Sequence, residues 1–437
     1  MHRRTFGKLT LGFAGVLLAS TAMAQSIPAT VDKPVEITFY NYNLAMAGSG
    51  QDGTNKMIKE FEQLHPSIKV KGVGVTSPEI ASRTQADIVA GRGPDVAQII
   101  FKDLDYIARN FNAKALEDII PANEREEHFA GMVKAGLDLG KIGNKTYALA
   151  YTFSTPMLFY NADIFRAAGL DPDKPPRTWA EIKQAATTIQ EKTSFRGFGA
   201  DVVGASGGAD DWLMQSLIYS NGGRVLSEDR KRLTFAEPEA VEVAAMLRDL
   251  VKSGLYRNEP NGANADGMAS GKFGMMLTTA VRQATFVKGA TGKWELRAVG
   301  MPAFGEKETA PTNSGSGLVI FSDDPVKQRA SWELMKFLTS KRGYTIITSE
   351  IGYVPLRLDI VDDPQYLGEW TKKHPLVRPN LEQLARLRPW VSYPGQNYKQ
   401  IHNTFMSAME QAVFGDGDVK QTLQTAQDRA QRLIPAN

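Results

Sequence analysis

The chain of 437 residues contains no cysteine. Disulfide frameworks and metal sites built on thiolates are therefore excluded. An oxidising compartment stays open, because a chain of this length can bury sizeable cores without disulfides. The missing cysteine also argues against a lipid anchor on an N-terminal cysteine. Beyond the first two dozen residues, no run of about 18 apolar residues occurs, so no membrane-spanning helix is predicted there.

Histidine and net charge are also scarce. The five histidines are scattered without a pair at metal-ligand spacing, so we expect neither a metal site nor a cofactor. The 51 basic and 48 acidic residues leave a net charge of +3. Because no long basic tract occurs, nucleic acid is not an expected partner. The length favours two or more domains, at an average of roughly 150 residues each.

The first 24 residues have the pattern of a secretory signal peptide. Arg3 and Arg4 precede the apolar run 9–18, and Ala22-Met23-Ala24 is a small-residue cleavage site. The paired arginines fit a twin-arginine signal, but they fit the charged start of an ordinary signal equally well, so both export routes stay open. We expect a mature protein that begins at Gln25 and resides in the periplasm.

Strand and helix patterns alternate through the mature chain. Residues 35–40, 68–75 and 95–100 are typical of strands, and the segments between them have helical spacing. This order predicts a parallel sheet covered by helices. Small and rigid connections farther along predict an α/β fold with several crossings between two lobes and a ligand cleft between them. The predicted N-terminal lobe is 35–152 plus 303–360, and the predicted C-terminal lobe is 153–302 plus 361–437.

One long motif carries a family resemblance. Residues 154–172 (STPMLFYNADIFRAAGLDP), continued by Pro175 to Glu181, resemble the family-1 extracellular solute-binding proteins of ATP-binding cassette (ABC) importers. Shorter segments support it, namely Gly93-Pro94-Asp95-Val96, Phe273-Gly274-Met275-Met276 and Gly352-Tyr353-Val354-Pro355-Leu356. The resemblance covers essentially the whole mature chain and is strongest to the glycerol-3-phosphate-binding members.

The resemblance implies both a fold and a function. Such proteins have two lobes that close on a ligand by a hinge motion and then dock on an inner-membrane ABC permease. They take sugars, glycosides, polyols or glycerol phosphates and are not enzymes. For this chain we therefore expect a monomeric, periplasmic binding protein that delivers a small polar ligand to a permease.

Candidate ligand-binding residues follow from side-chain chemistry and from the resemblance. Amides suit hydroxyl groups, and aromatic rings suit the CH face of a sugar. Ser154 matches the serine of the family motif, and Trp212 stands where relatives place a tryptophan against the ligand. The other candidates lie at predicted strand or helix ends: Asn41, Tyr42, Asn43, Ser77, Gln98, Lys102, Thr279, Arg282, Ser314, Gly315, Tyr353 and Tyr393.

Structural roles compete with several of these assignments. The loop at Asn41 fits a capped turn, Ser77 fits the N-cap of a helix that begins at Pro78, and Arg282 fits a solvated helix position. Trp212 fits a core position. For each of these residues, the sequence alone leaves both a ligand-binding role and a structural role open.

The chain departs from the glycerol-3-phosphate-binding members at three places. Phe101 replaces a glutamate, Ala209 replaces a second tryptophan, and Ser392-Tyr393 stands near the position of an anion-binding arginine. These departures weaken the expectation of phosphate recognition in the cleft and favour a different or larger ligand.

An enzyme function is the alternative interpretation. Gly204-Ala205-Ser206-Gly207-Gly208 fits the G-x-S-x-G pattern of a serine hydrolase. Gly197 and Gly199 make the preceding segment a poor central strand, however, and small-residue loops often match this pattern. A binding protein leaves its ligand unchanged, whereas a hydrolase turns it over, so an activity assay separates the two.

Overall fold

The first strand, β1 (Val35–Asn41), lies between β2 (Ile68–Gly74) and β3 (Val96–Ile100) and is parallel to both. The computed structural model describes residues 27–205, 211–260 and 262–435. In it, the parallel β-α-β order predicted from the sequence is confirmed.

Two sheets form the centres of two lobes. Besides β1 to β3, the strands are β4 (Lys141–Ile142), β5 (Lys145–Thr146), β6 (Leu149–Ser154), β7 (Pro156–Asn161), β8 (Arg196–Ala200), β9 (Phe273–Thr279), β10 (Leu296–Gly300) and β11 (Ser314–Ile320). The first sheet has the order β2-β1-β3-β11-β6, and the second has the order β10-β7-β9-β8. Strands β4 and β5 form a hairpin at Gly143-Asn144.

Helices cover the faces of both sheets. Those of the first half are α1 (Ser49–Leu64), α2 (Ile80–Val89), α3 (Phe101–Asn110), α4 (Leu116–Ile119), α5 (Ala122–Phe129), α6 (Lys134–Asp138), α7 (Ala162–Ala167), α8 (Trp179–Lys192) and α9 (Trp212–Ser220). Those of the second half are α10 (Pro238–Lys252), α11 (Ala263–Ala269), α12 (Gln283–Ala290), α13 (Pro325–Leu338), α14 (Lys341–Ile346), α15 (Gly368–Lys373), α16 (Arg378–Glu382), α17 (Tyr398–Phe414) and α18 (Val419–Gln431). None of the described helices is long and apolar enough to span a bilayer.

Each lobe has its own hydrophobic core. Phe39, Ile99 and Trp332 belong to the first, and Phe198 and Phe405 belong to the second. Burial of apolar surface stabilises each by roughly 25 cal/mol per Å². Two separate cores joined by thin connections allow the lobes to move as units. The expected two-lobed α/β fold is therefore confirmed.

Within the described ranges, the chain crosses between the lobes in three places. The first crossing is abrupt, because β6 of the first sheet ends at Ser154 and β7 of the second begins at Pro156. The second joins β10 to β11. The third occupies the long segment before α17, where Leu387 and Trp390 still pack in the first core and Tyr393 packs in the second. The exact lobe boundaries given above stay predictions.

One local prediction was wrong. Ser77 does not cap a helix, because α2 begins at Ile80 and its N-cap is Glu79. Residues 76–79 form a turn instead, in which the amide of Glu79 donates to the carbonyl of Thr76. Ser77 is exposed at this turn.

Candidate functional site

A cavity of about 340 Å³ lies between the two lobes. The ends of β1 and β2 supply one wall, β9 supplies the opposite wall, and the start of β11 lies between them. The residues around it are aromatic, hydroxylated or small: Tyr42, Ala45, Met46, Thr76, Ser77, Pro78, Ile100, Thr279, Val281, Ser314, Gly315, Tyr353 and Trp390. We call this the central cavity.

The lining of the central cavity is uncharged. Among the described residues around it there is no lysine, arginine, histidine, aspartate or glutamate. Burial raises the pKa of Tyr42 and of Tyr353, so both phenols stay neutral at physiological pH. The cavity therefore presents rings and neutral hydroxyls, which suit a ligand that is itself neutral and rich in hydroxyls.

A buried hydrogen-bond network fixes Tyr42. Its hydroxyl lies 2.8 Å from Thr152 Oγ1 and 3.1 Å from Ser316 Oγ. The side-chain Nε2 of Gln98 donates to the same two oxygens, at 3.1 and 2.9 Å. The side-chain Oε1 of Gln98 accepts from the backbone amide of Tyr42 at 3.1 Å. Gln98 is fully buried. Its role is thus to position Tyr42, since its polar atoms already have partners in this network.

Asn41 and Asn43 are also fully buried, beside the same wall. Asn41 Oδ1 accepts from the amide of Leu44 at 3.0 Å, which fixes the turn after β1. Asn43 Oδ1 lies 3.4 Å from the Tyr353 hydroxyl, so it links β1 to the loop that carries Tyr353. Neither residue lines the central cavity, and both support residues that do.

Ser154 and Thr279 meet where the two sheets join. Their hydroxyl oxygens are 2.7 Å apart. Ser154 is fully buried, whereas Thr279 lines the central cavity. The family serine therefore contacts the cavity through Thr279.

A second cavity, of about 180 Å³, adjoins the first and is charged. Lys102 and Asp103 come from the first lobe, whereas Asp211, Tyr393 and His402 come from the second. Burial raises the pKa of Tyr393, with a further contribution from the negative charge of Asp211. Lys102 and Tyr393, both predicted site residues, lie together here.

Trp390 stands at the border of the two cavities. Its ring lines the central cavity, and the Lys102 ammonium lies 5.9 Å from the ring centroid. Its indole Nε1 donates to Asp211 Oδ1 at 2.7 Å. Neither Trp390 nor Asp211 was predicted. The only sequence signal for Trp390 is that an aromatic residue stands two positions before the segment Ser392-Tyr393. The hydrogen bond between Trp390 and Asp211 joins positions 179 residues apart, which no local pattern reveals.

The remaining predicted residues have mixed positions. Trp212 is partly buried and packs against both cores, at the start of α9. Arg282 is partly buried at the end of a short 3-10 turn, and its positive charge lowers the pKa of Asp201 against a larger rise caused by burial. Arg282 does not line the central cavity. Ser206, Gly207 and Gly208 of the G-x-S-x-G pattern, and Ala209, lie outside the described residues.

A third cavity extends the cleft on the side of α12. Its volume is about 290 Å³, and it shares Val281 and Tyr353 with the central cavity. The stacked pair Trp370 and His374, with ring centroids 4.3 Å apart, lies on its far side. The cleft is therefore longer than the central cavity alone.

Known proteins resemble this chain along nearly its whole length. It is 24% identical to the sn-glycerol-3-phosphate-binding periplasmic protein UgpB of Agrobacterium fabrum, across 96% of this chain and 97% of that protein. The corresponding protein of Rhizobium meliloti is also 24% identical, across 95% and 98%.

Solved structures share the fold. The cyclic α-maltosyl-1,6-maltose binding protein of Arthrobacter globiformis superposes with a TM-score of 0.79 at 22% identity, across 92% of this chain and 99% of that one. UgpB of Mycobacterium tuberculosis, in complex with glycerophosphocholine, superposes with a TM-score of 0.77 at 21% identity, across 91% of this chain and 98% of that one. Residues 56–378 match the family described as bacterial extracellular solute-binding protein. The chain therefore belongs to the bacterial extracellular solute-binding proteins.

Proposed function

We propose that this chain is the periplasmic receptor of an ABC importer and that it captures a neutral carbohydrate or polyol in the cleft between its lobes. Family membership supports the receptor role, since relatives of this kind include periplasmic binding proteins. The uncharged central cavity is the observation that carries the ligand class. A phosphate placed there would lose water without gaining a cationic partner, which is costly.

The arrangement of hydroxyls and rings suits this ligand. Tyr42, Tyr353 and Trp390 provide flat faces, and Thr279 and Ser314 provide hydroxyls that both donate and accept. The two walls come from different lobes, so a ligand makes its full set of contacts only when the lobes close. Binding thus favours the closed state, and the permease recognises that state.

The proposal includes export and delivery. Residues 1–24 act as a signal peptide, and the mature chain works as a monomer beside an inner-membrane permease. Catalysis is not part of the proposed function, because a receptor releases its ligand unchanged. The serine hydrolase interpretation predicts turnover of an ester or glycoside instead, which a product assay detects.

The test is a calorimetric titration of the mature protein with neutral mono- and disaccharides, polyols, glycerol 3-phosphate and glycerophosphodiesters. We expect heat of binding with a neutral compound. The variant Thr279→Val removes a cavity hydroxyl and should weaken that binding roughly tenfold, the value of about one good hydrogen bond. Thr285→Val, an exposed position on α12, makes the same chemical change away from the lining and should bind normally. Binding of phosphate esters alone, unaffected by Thr279→Val, would contradict the proposal.

A further inference from the structure

A separate cavity of about 480 Å³, beside the third crossing between the lobes, has the opposite electrostatic character. Three arginines from different parts of the chain line it: Arg224 after α9, Arg230 in the following turn, and Arg388 just before Trp390. Glu228 is the one acidic residue in the described lining. We call this the arginine cavity.

Glu228 does not neutralise this cavity. It pairs with Arg224 at 2.7 Å, but its side chain is 86% exposed. Exposed ion pairs of this kind contribute little, because water screens them. Of the other two guanidinium groups, that of Arg230 lies 3.6 Å from Asp105, a buried carboxylate outside the lining, whereas Arg388 has no acidic partner among the described residues.

The backbone holds Arg230 in an unusual conformation. With a φ of 61°, it is one of two non-glycine residues at positive φ in the described chain. Such a conformation is costly and persists only where surrounding contacts fix it. Here the Arg230 amide donates to the carbonyl of Ser227, and its guanidinium donates to the Ser392 carbonyl at 3.0 Å. The turn therefore fixes this cation beside segment 388–393.

Arg388 has a fixed backbone and an available side chain. Its amide donates to the carbonyl of Pro311 at 2.8 Å, beside the crossing that leads into β11. Its side chain is exposed, and no described residue forms a hydrogen bond or ion pair with its guanidinium. We therefore expect removal of this side chain to leave the fold intact.

Tyr219 lines the same cavity as the three arginines. Burial raises its pKa to about 12, the positive charges of Arg224, Arg388 and Arg230 act to lower it, and the negative charge of Asp211 acts to raise it. The shared lining places the three arginines around one cavity. Planar guanidinium groups bind tetrahedral oxyanions through paired N–H donors.

We propose that the arginine cavity is a binding site for a phosphate or sulfate group, distinct from the uncharged central cavity. The group is either a free inorganic anion or the charged end of an ester whose remainder occupies the cleft. Segment 388–393 permits the second case, because Trp390 lines the central cavity while Arg388 lines this one. The site does not depend on the neutral ligand proposed above.

Titration with inorganic phosphate and with sulfate at low ionic strength tests the site. We expect one bound anion per chain. Arg388→Gln should weaken binding at least tenfold, because a charged hydrogen-bond donor is lost. Arg388→Lys keeps the charge but not the paired donors and should give an intermediate affinity. Arg429→Gln, an exposed arginine on α18, changes net charge equally and should bind like the unmodified protein.

A second arm identifies the source of the anion. If glycerol 3-phosphate reaches this site from the cleft, both Arg388→Gln and Thr279→Val should weaken its binding. Binding of a free anion should be weakened by Arg388→Gln alone. Absence of phosphate and sulfate binding overturns the proposal, as does equal binding by the Arg388→Gln and Arg429→Gln variants. Normal anion binding by both variants, with transport reduced by Arg388→Gln alone, would assign the arginines to a protein contact and also overturn the proposal.

Discussion

The hydroxyl oxygens of Ser154 and Thr279 lie 2.7 Å apart, one at the end of each lobe's central sheet. Ser154 ends β6 and Thr279 ends β9, so this hydrogen bond joins the lobes at the point where the chain first crosses between them. It also orients the Thr279 side chain, which lines the central cavity. A small change at Ser154 should therefore affect both stability and ligand recognition.

We expect Ser154→Ala to lower the free energy of unfolding by about 1 to 2 kcal/mol, because a buried hydroxyl loses its partner. Ligand affinity should fall as well, since Thr279 is no longer held in place. Urea unfolding and calorimetry measure the two effects. Ser82→Ala removes an exposed hydroxyl on α2 and should change stability by less than about 0.5 kcal/mol. An unchanged affinity in Ser154→Ala would show that Thr279 does not need this support.

Trp212 should contribute to ligand binding. It is partly exposed and packs against both cores, so it contacts both lobes. We expect Trp212→Ala to weaken binding by roughly 1 to 3 kcal/mol, measured by calorimetry. Trp294→Phe, in a separate cluster of the second lobe, is the control and should bind normally. Equal affinities in both variants would remove Trp212 from the site.

Local sequence signals predicted most elements well. Thr178 is a residue type that favours the N-cap of a helix, and its hydroxyl accepts from the Glu181 amide in a complete capping box. The sequence of residues 398–414 has a helical pattern, and α17 has those same bounds, ending before Gly415. These features depend on neighbouring residues alone, so periodicity and capping rules suffice to find them.

Features that depend on distant contacts were not predicted. Nothing near Trp390 in the sequence reveals that its indole bonds Asp211, because that contact requires the folded second lobe. The convergence of Arg224, Arg230 and Arg388 likewise joins separate loops. Sequence reasoning found strand ends at the cleft, but it did not separate the residues that line the cavity from those, such as Gln98, that support them from behind.

Acid should destabilise the fold through His128. Burial, together with the positive charges of Arg357 and Lys336, lowers the pKa of His128 to about 3. An unfolded chain protonates this residue near pH 6.5, so stability is lost as pH falls from about 6.5 toward 3, by at most about 1.4 kcal/mol per pH unit. His128→Gln, which retains a partner for the Thr339 hydroxyl, should reduce this pH dependence. Urea midpoints at pH 7 and pH 5 measure it, and equal slopes for both proteins would contradict the assignment.

Tyr398 and Asp103 connect the lobes just after the third crossing. The Tyr398 hydroxyl, at the start of α17, donates to Asp103 Oδ1 on α3 at 2.5 Å. The Tyr398 ring centroid also lies 5.1 Å from that of Tyr106, which is on α3 as well. Asp103 and Tyr398 are both buried, so water does not readily replace the bond. Because the two partners belong to different lobes, this contact exists only when the lobes are close together.

We therefore expect Tyr398→Phe to shift the ligand-free protein toward an open state. Its radius of gyration in solution scattering should increase, and its apparent ligand affinity should fall by roughly 5- to 150-fold, the range of a coupling of 1 to 3 kcal/mol. Tyr366→Phe, in the first lobe alone, should change neither quantity. If Tyr398→Phe scatters and binds like the unmodified protein, the Tyr398–Asp103 bond follows closure without favouring it, and the central cavity contacts alone determine the closed state.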